Sequence, residues 1–268
     1  MVDLLRRSLA PLADKAWEEI DATAAQVLKS QLTARGLVDF EGPRGWDFAA
    51  VNLGRLDTNK GASPYEVPWG KRLVLPVIET RVPFTLDQME MDSIARGVKD
   101  AHLEPLADAA RRIAAFEESA IYNGFDPGEI GGIIPQSAHQ PIKLPANTRE
   151  FPEAVARAVQ AITLTGVPGP FALVLGSEAW AGLMQSGAGG YPPHRIIRDL
   201  TAGDVHMSPA IEGGVVVSTA EGSFELTVGQ DFSIGYASHD RKSVELYLAE
   251  SFTFRVLEPK AAVRLAPA

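Results

Sequence analysis

The sequence predicts a mixed α+β fold, with helices and strands segregated rather than alternating in repeated βαβ units. Three observations predict it. Helical spacing of apolar residues recurs between Asp14 and Leu164, period-two alternation fills the last third of the chain, and no internal repeat is present. At 268 residues, 46% of them hydrophobic, the chain can bury one large core or two small ones.

From Asp14 to Arg35, the residues Trp17, Ile20, Ala24, Val27 and Leu28 fall at helical spacing, with Asp14 as the expected N-cap and Gly36 as the stop. This helix precedes any core it could cover, so its apolar face must meet later segments or another chain. The stretch Val51–Leu75 is broken by Gly54, Gly61, Pro64, Pro68 and Gly70, with alternation on either side ("AAVNLGRL", "KRLVLPVIE"). That pattern predicts a long extended hairpin arm. Helices are expected over Asp87–Arg96, halted by Gly97, and over Leu103–Tyr122. The second carries Leu103, Leu106, Ala110, Ile113, Ala114 and Ile121 on one face and ends at Asn123-Gly124. A third helix is expected over Phe151–Leu164. After Pro168-Gly169-Pro170 comes a buried-type strand, "FALVLGS", then a glycine-rich loop, "SGAGGYPPH", and a short helix near Ile196. The segments "GGVVVST" and "SFELTV" are expected to pair across Ala220–Gly222. The run "SVELYLAESFTFRVLEP" reads as one strand far longer than the usual ~5–6 residues.

Composition excludes several function classes. The formal charge is −9, and adjacent basic pairs such as Arg6-Arg7 and Arg111-Arg112 sit near acids, so the phosphate neutralisation that nucleic acid demands is not provided. No apolar run approaches the ~20 residues of a membrane helix. The start, "MVDLLRRSLAPLADKAWEEID", has no continuous apolar stretch of the secretory kind, and a cytoplasmic location is expected. The chain has no cysteine, which removes disulfides, thiolate metal sites and a thiol nucleophile together.

One stretch, "GQDFSIGYASHDR", holds Asp231, Ser233, His239 and Asp240, the side-chain types of a hydrolase triad. It lacks the first glycine of a nucleophile elbow, and triads converge from distant positions, so a polar turn and strand edge is the better reading. No H-E-x-x-H or Glu-x-x-His pair is present, and His102, His139, His194, His206 and His239 are scattered over expected loops and helix ends. Gly187-Ala188-Gly189-Gly190 lacks a dinucleotide or P-loop spacing. The carboxylates Glu117-Glu118 and Asp87/Glu90/Asp92 are expected on solvated helix faces. No coherent catalytic constellation emerges, and a non-enzymatic protein without cofactor is expected.

The strings "LLRRSLAPLADKAWEEID", "GPRGWDFAAVNLG", "RVPFTLDQMEMDSIARG", "GPFALVLG", "GYP", "GQDFSIGY" and "ESFTFRVLEPKAAV" run in order over nearly the whole chain. They resemble the encapsulin shell proteins, a family also filed under linocin-type bacteriocins. The resemblance implies the tailed-phage major capsid fold (Hong Kong 97-like). Residues 1–50, 74–136 and 224–256 would form a peripheral domain with a lumen-facing first helix. Residues 51–73 would form the extended loop, and 137–223 with 257–268 the axial domain. It implies a self-assembling icosahedral compartment, a T=1 60-mer, around a cargo enzyme such as a dye-decolorising peroxidase or a ferritin-like protein. The cargo would dock through a C-terminal targeting peptide.

Carried over residue by residue, the resemblance places Leu28, Arg35, Asp39, Asp231, Ser233 and Ile234 in the cargo groove. It places Ser186, Gly187, Ala188, Gly189, Gly190 and Tyr191 at a fivefold pore. Some relatives hold a flavin against an aromatic in the "FTLD" region. Met89 stands there and offers no flat π face, so no flavin is expected. The alternatives are a secreted bacteriocin or protease, for which neither an export signal nor a nucleophile site is seen, and a phage capsid protein. The long N-terminal extension usual in the latter is missing.

Overall fold

The computed structural model describes residues 4–58, 63–185 and 192–268. The expected pore loop, Ser186 to Tyr191, lies outside the described residues, as do positions 59–62 of the arm. Among the described residues the α-helices are α1 (Asp14–Gln31), α2 (Gln88–Arg96), α3 (Glu104–Asn123), α4 (Phe151–Leu164), α5 (Ser177–Gln185) and α6 (Pro193–Thr201). The strands are β1 (Asp39–Glu41), β2 (Ala50–Asp57), β3 (Lys71–Pro76), β4 (Ile78–Asp87), β5 (Ile142–Lys143), β6 (Phe171–Leu175), β7 (Val205–Met207), β8 (Gly214–Ser218), β9 (Phe224–Val228), β10 (Ser233–His239), β11 (Ser243–Val256) and β12 (Ala262–Ala266).

Two sheets organise the chain. The first is built on β11, the fourteen-residue strand anticipated from its alternation. Ala249 faces Ser233 of β10 and Arg81 of β4, so β10 and β4 flank opposite edges. Phe252 faces Val228 of β9 and Ile78 of β4, so β9 continues the edge that β10 begins. The outer side of β9 carries β1 in parallel. The second sheet has the order β5-β12-β8-β6-β7, with all five residues of β6 and of β8 buried. Helices α1, α2 and α3 cover one face of the first sheet and share a core of Ile20, Leu28, Met91, Ile113, Ile234, Leu246 and Leu248. The arm is separate: among the described residues β2 and β3 pair only with each other, from Ala50↔Pro76 out to Asp57↔Lys71.

The sequence expectation fails at three places. The helix begun at Asp14 has Ala13 as its N-cap and ends at Gln31, with a 3-10 turn over Ala34–Gly36 instead of helix to Arg35. The buried Glu118 carboxylate takes the amides of Thr33 and Ala34, which offers the backbone a better end than another helical turn. The proposed hairpin between "GGVVVST" and "SFELTV" does not form, because β8 lies in the second sheet and β9 in the first. The connection changes sheets instead: Ser218 Oγ donates to the Pro168 carbonyl, the Thr219 amide to Pro170, and Gly222 turns with φ +85°. No sequence expectation covers α5, although Trp180 and Leu183 carry a helical spacing there.

Candidate functional site: an apolar cleft over buried charges

A cleft of about 460 Å³ opens between α1 and the segment leading into β10. The α1 side offers Ala24, Ala25, Leu28 and Leu32, and the opposite side offers Asp231, Phe232, Ser233 and Ile234. Leu5 and Arg7 close one end, where the Tyr236 amide donates to the Leu5 carbonyl at 2.8 Å and Arg7 pairs with Asp21 at 2.7 Å. Of the six residues expected in a groove, Leu28, Arg35, Asp231, Ser233 and Ile234 line this cleft. Asp39 does not: its carboxylate accepts the Gly222 amide at 2.7 Å and caps the turn where the chain crosses between sheets. Leu28 and Ile234 are 7% and 3% exposed, so they form the floor and belong mostly to the core. Ala25 is exposed and forms the wall.

The triad-like residues have local roles. Ser233 Oγ donates to the Asp231 carbonyl at 2.7 Å, His239 Nδ1 meets the Tyr236 hydroxyl at 2.5 Å, and the Asp240 carboxylate closes the β10–β11 turn. Backbone amides of Lys242 and Ser243 hold the Asp240 carboxyl below its usual range.

Beneath the cleft, charges are buried. The Arg35 guanidinium donates to Glu117 through Nε at 2.9 Å and Nη2 at 2.7 Å, to Asp231 through Nη1 at 2.9 Å, and to Glu250 through Nη2. It also lies against two aromatic rings, Phe232 at 4.5 Å and Phe40 at 5.3 Å, on which a planar guanidinium can stack. Glu117 and Glu250 are fully enclosed, whereas the Asp231 side chain remains 42% exposed at the rim. Burial alone would lower the Arg35 pKa, but the Glu117 hydrogen bonds and the surrounding carboxylates outweigh it, and the guanidinium stays charged.

Glu250 is pushed well above the ordinary carboxylate range, first by burial and then by the charge of Glu117. Its Oε2 meets no donor among the described residues. One guanidinium thus faces three carboxyl groups, two of them buried and one at the rim.

The neighbouring Glu118 does different work. It accepts from the amides of Thr33 and Ala34, the Thr33 hydroxyl and Ser208 Oγ at 2.6–2.8 Å. Burial raises its pKa, and these donors oppose the rise. The Tyr122 hydroxyl lies 3.1 Å from Thr33 Oγ1 and its pKa is raised, first by burial and then by Glu118. The solvated face expected for Glu117-Glu118 is therefore wrong, since α1 and β11 cover that side of α3. A signal was present in the sequence: four-residue steps from Ile113 and Ala114 reach Glu117 and Glu118, then Ile121 and Tyr122, along one stripe.

The class of protein is set by the fold. It is similar to the virus-like particle from Pyrococcus furiosus (TM-score 0.63, 16% identity, covering 92% of this chain and 98% of that one). It is also similar to the capsid of an empty GTA particle (TM-score 0.53, 13% identity, covering 87% and 90%). The architecture is that of tailed-phage capsid proteins. The family described as "Encapsulating protein for peroxidase" matches residues 2–253. The type 1 encapsulin shell protein of Rhodospirillum rubrum is 46% identical over 267 residues, 97% of this chain and 95% of that protein. The type 1 encapsulin shell protein of Mycobacterium tuberculosis is 38% identical over 261 residues, covering 97% and 98%. The chain belongs to the encapsulin shell protein family.

Proposed function

We propose that this chain assembles by itself into a closed, hollow, T=1 icosahedral shell. In this reading the cleft between α1 and β10 receives the C-terminal targeting peptide of an enclosed enzyme, a dye-decolorising peroxidase or a ferritin-like protein, in the cytoplasm. The observation that carries the docking half is the cleft itself. It has an aliphatic floor, a rim carboxylate, and an Arg35 whose hydrogen bonds go to three carboxyl groups of its own chain. Arg35 therefore shapes the floor and does not pair with the tail. A tail that is disordered when free must recover its ordering cost from apolar contact, roughly 1.5–3 kcal/mol for each aliphatic side chain fully buried. Many identical clefts on one shell make modest single-site affinity sufficient for an oligomeric cargo.

Strand membership supports the expected division: β1, β4 and β9–β11 lie in one sheet within 1–50, 74–136 and 224–256, and β5–β8 with β12 in the other within 137–223 and 257–268. Residues 51–73 lie across a neighbour, and Ser186 to Tyr191 line a pore. The test of docking uses the wall rather than the floor. Ala25→Arg places a long charged side chain at an exposed position, so shells should form normally while cargo per particle, measured after co-expression, falls at least about tenfold, ~1.4 kcal/mol. Wild-type loading in that variant would move docking to another surface.

A further inference from the structure

The segment from Leu4 to Arg7 meets the outer edge of β10, where the Tyr236 amide donates to the Leu5 carbonyl at 2.8 Å. Its residues alternate between two hollows. Leu5 and Arg7 line the cleft between α1 and β10, whereas Leu4 and Arg6 line a second cavity with Tyr236 and Tyr247. Leu5 therefore stands with Ala24, Leu28 and Ile234 around the space that an aliphatic side chain of a guest would have to enter.

The hold on this segment is light. None of the residues in its 3-10 turn, Arg7–Leu9, is buried. Arg6 keeps left-handed backbone at φ +51°, which is unfavourable for a residue with a Cβ. The Arg7 guanidinium lies 4.0 Å over the Trp17 ring and pairs with Asp21, one helical turn on, at 2.7 Å. Both side chains of that pair are partly exposed, where ion pairs stabilise little. Beyond the turn the chain is fixed again, with Gln88 Nε2 donating to the Pro11 carbonyl at 2.9 Å. The edge that the segment touches has more to offer. Tyr236 turns its amide away from β11, and the strand period of two points the Ile234 amide and carbonyl to the same outer edge, beside the aliphatic floor. A longer extended peptide can pair with all of these groups, whereas the resident segment turns away at Arg7–Leu9.

We infer that Leu4 to Arg7 is a resident strap: it occupies one end of the cleft in place of a guest, and the guest's tail displaces it and takes over its pairing with β10. The inference rests on the docking reading proposed above and adds a regulation to it. An occupied cleft lowers the apparent affinity of a guest in proportion to the fraction of clefts that stand open. The strap thereby covers part of the aliphatic floor in an empty particle and favours guests that bring several tails at once.

The strap's own sequence, "LLRRSLAP" from Leu4 to Pro11, fused to the C-terminus of a fluorescent protein, serves as the probe. Co-expressed with the unmodified chain it should be enclosed poorly, because the strap tethered in each subunit competes at high effective concentration. In the variant Leu5→Asp with Arg7→Ser the strap is released, and fluorescence per purified particle should rise at least about fivefold. Adding Ala25→Arg to that variant should remove the gain. If the double variant does not assemble, Arg7→Gln alone weakens the ion pair and the stacking and should raise loading about twofold. Equal loading of unmodified and strap-released particles overturns the strap, as does a gain that survives Ala25→Arg. Loss of the co-expressed cargo enzyme in Ala25→Arg alone, without any gain in the strap-released variant, would remove the strap and leave docking in the cleft standing. Undiminished loading of that enzyme in Ala25→Arg would instead overturn the docking reading.

Discussion

The junction beneath the cleft and the tip of the arm invert the usual rule in opposite directions. At the junction the molecule buries charge: Glu117, Glu118 and Glu250 are almost fully enclosed, with Arg35 among them. At the tip it exposes aromatic surface, Tyr65 and Trp69 above all. A buried ion cluster rarely adds net stability over well-packed apolar residues, but it penalises every arrangement that leaves a charge without its partner. At the junction that penalty fixes how the end of α1, the middle of α3, the turn before β10 and the centre of β11 meet, four segments far apart in sequence. At the arm tip there is no such penalty within the chain. The junction specifies one fold by charge, whereas the tip leaves aromatic surface that the proposed assembly would have to cover.

Removing one partner at the junction should give the largest effect. Arg35→Ala leaves two buried acids facing one another and should cost about 3–5 kcal/mol of stability. Thermal or denaturant unfolding at fixed protein concentration reads it. Replacing the whole cluster with Arg35→Met, Glu117→Leu and Glu250→Met should recover most of that loss, and no recovery would show that the charges stabilise the fold outright.

The second effect is smaller and depends on pH. Glu250 and Glu118 both have pKa values raised in the fold, so the stability they contribute is fully present at and below the ordinary value of 4.5 and is lost as pH rises through the raised values. The slope is at most ~1.4 kcal/mol per pH unit for each proton. Glu250→Gln removes one of the two titrations and should flatten the fall of melting temperature with pH, leaving the part due to Glu118. An unchanged slope would place the proton elsewhere. The smallest change in subunit stability should come at the tip, where Trp69→Ala is expected to alter it by no more than about 0.5 kcal/mol. The same variant should nonetheless lower the yield of particles in size-exclusion chromatography, and an unaffected yield would dissolve the contrast between the two regions.

Much of this was legible in the sequence, for physical reasons that also explain the failures. The helix at Phe151–Leu164 and the stop at Gly97 were readable because spacing and capping are local. The length of β11 was readable because alternation persists through Phe252, Phe254 and Val256. The ion cluster was not read, since Arg35, Glu117, Asp231 and Glu250 each look like ordinary surface residues until four segments converge. The failed pairing of β8 with β9 has the same origin: two alternating runs joined by a glycine-bearing turn fit a hairpin, and only the distant partners β12 and β11 divert them. Five of the six residues expected in a groove line one cleft because α1 and β10 pack together, while the Asp39 carboxylate accepts the amide of Gly222 instead.

The position of β11 near the end of the chain also sets a clock. β4 is synthesised early, yet its ladder partner is β11 along its whole length, from Ile78↔Phe252 to Asp87↔Ser243. At ~5–20 residues per second, the nascent chain waits on the order of ten seconds or more between making the one strand and making the other. Until then the floor of the cleft does not exist, since Ile234 and Leu248 depend on β11 and its neighbour. On the docking reading proposed above, a subunit still on the ribosome would be unable to receive a guest. Closure of the last long strand would make each newly finished chain competent to do so.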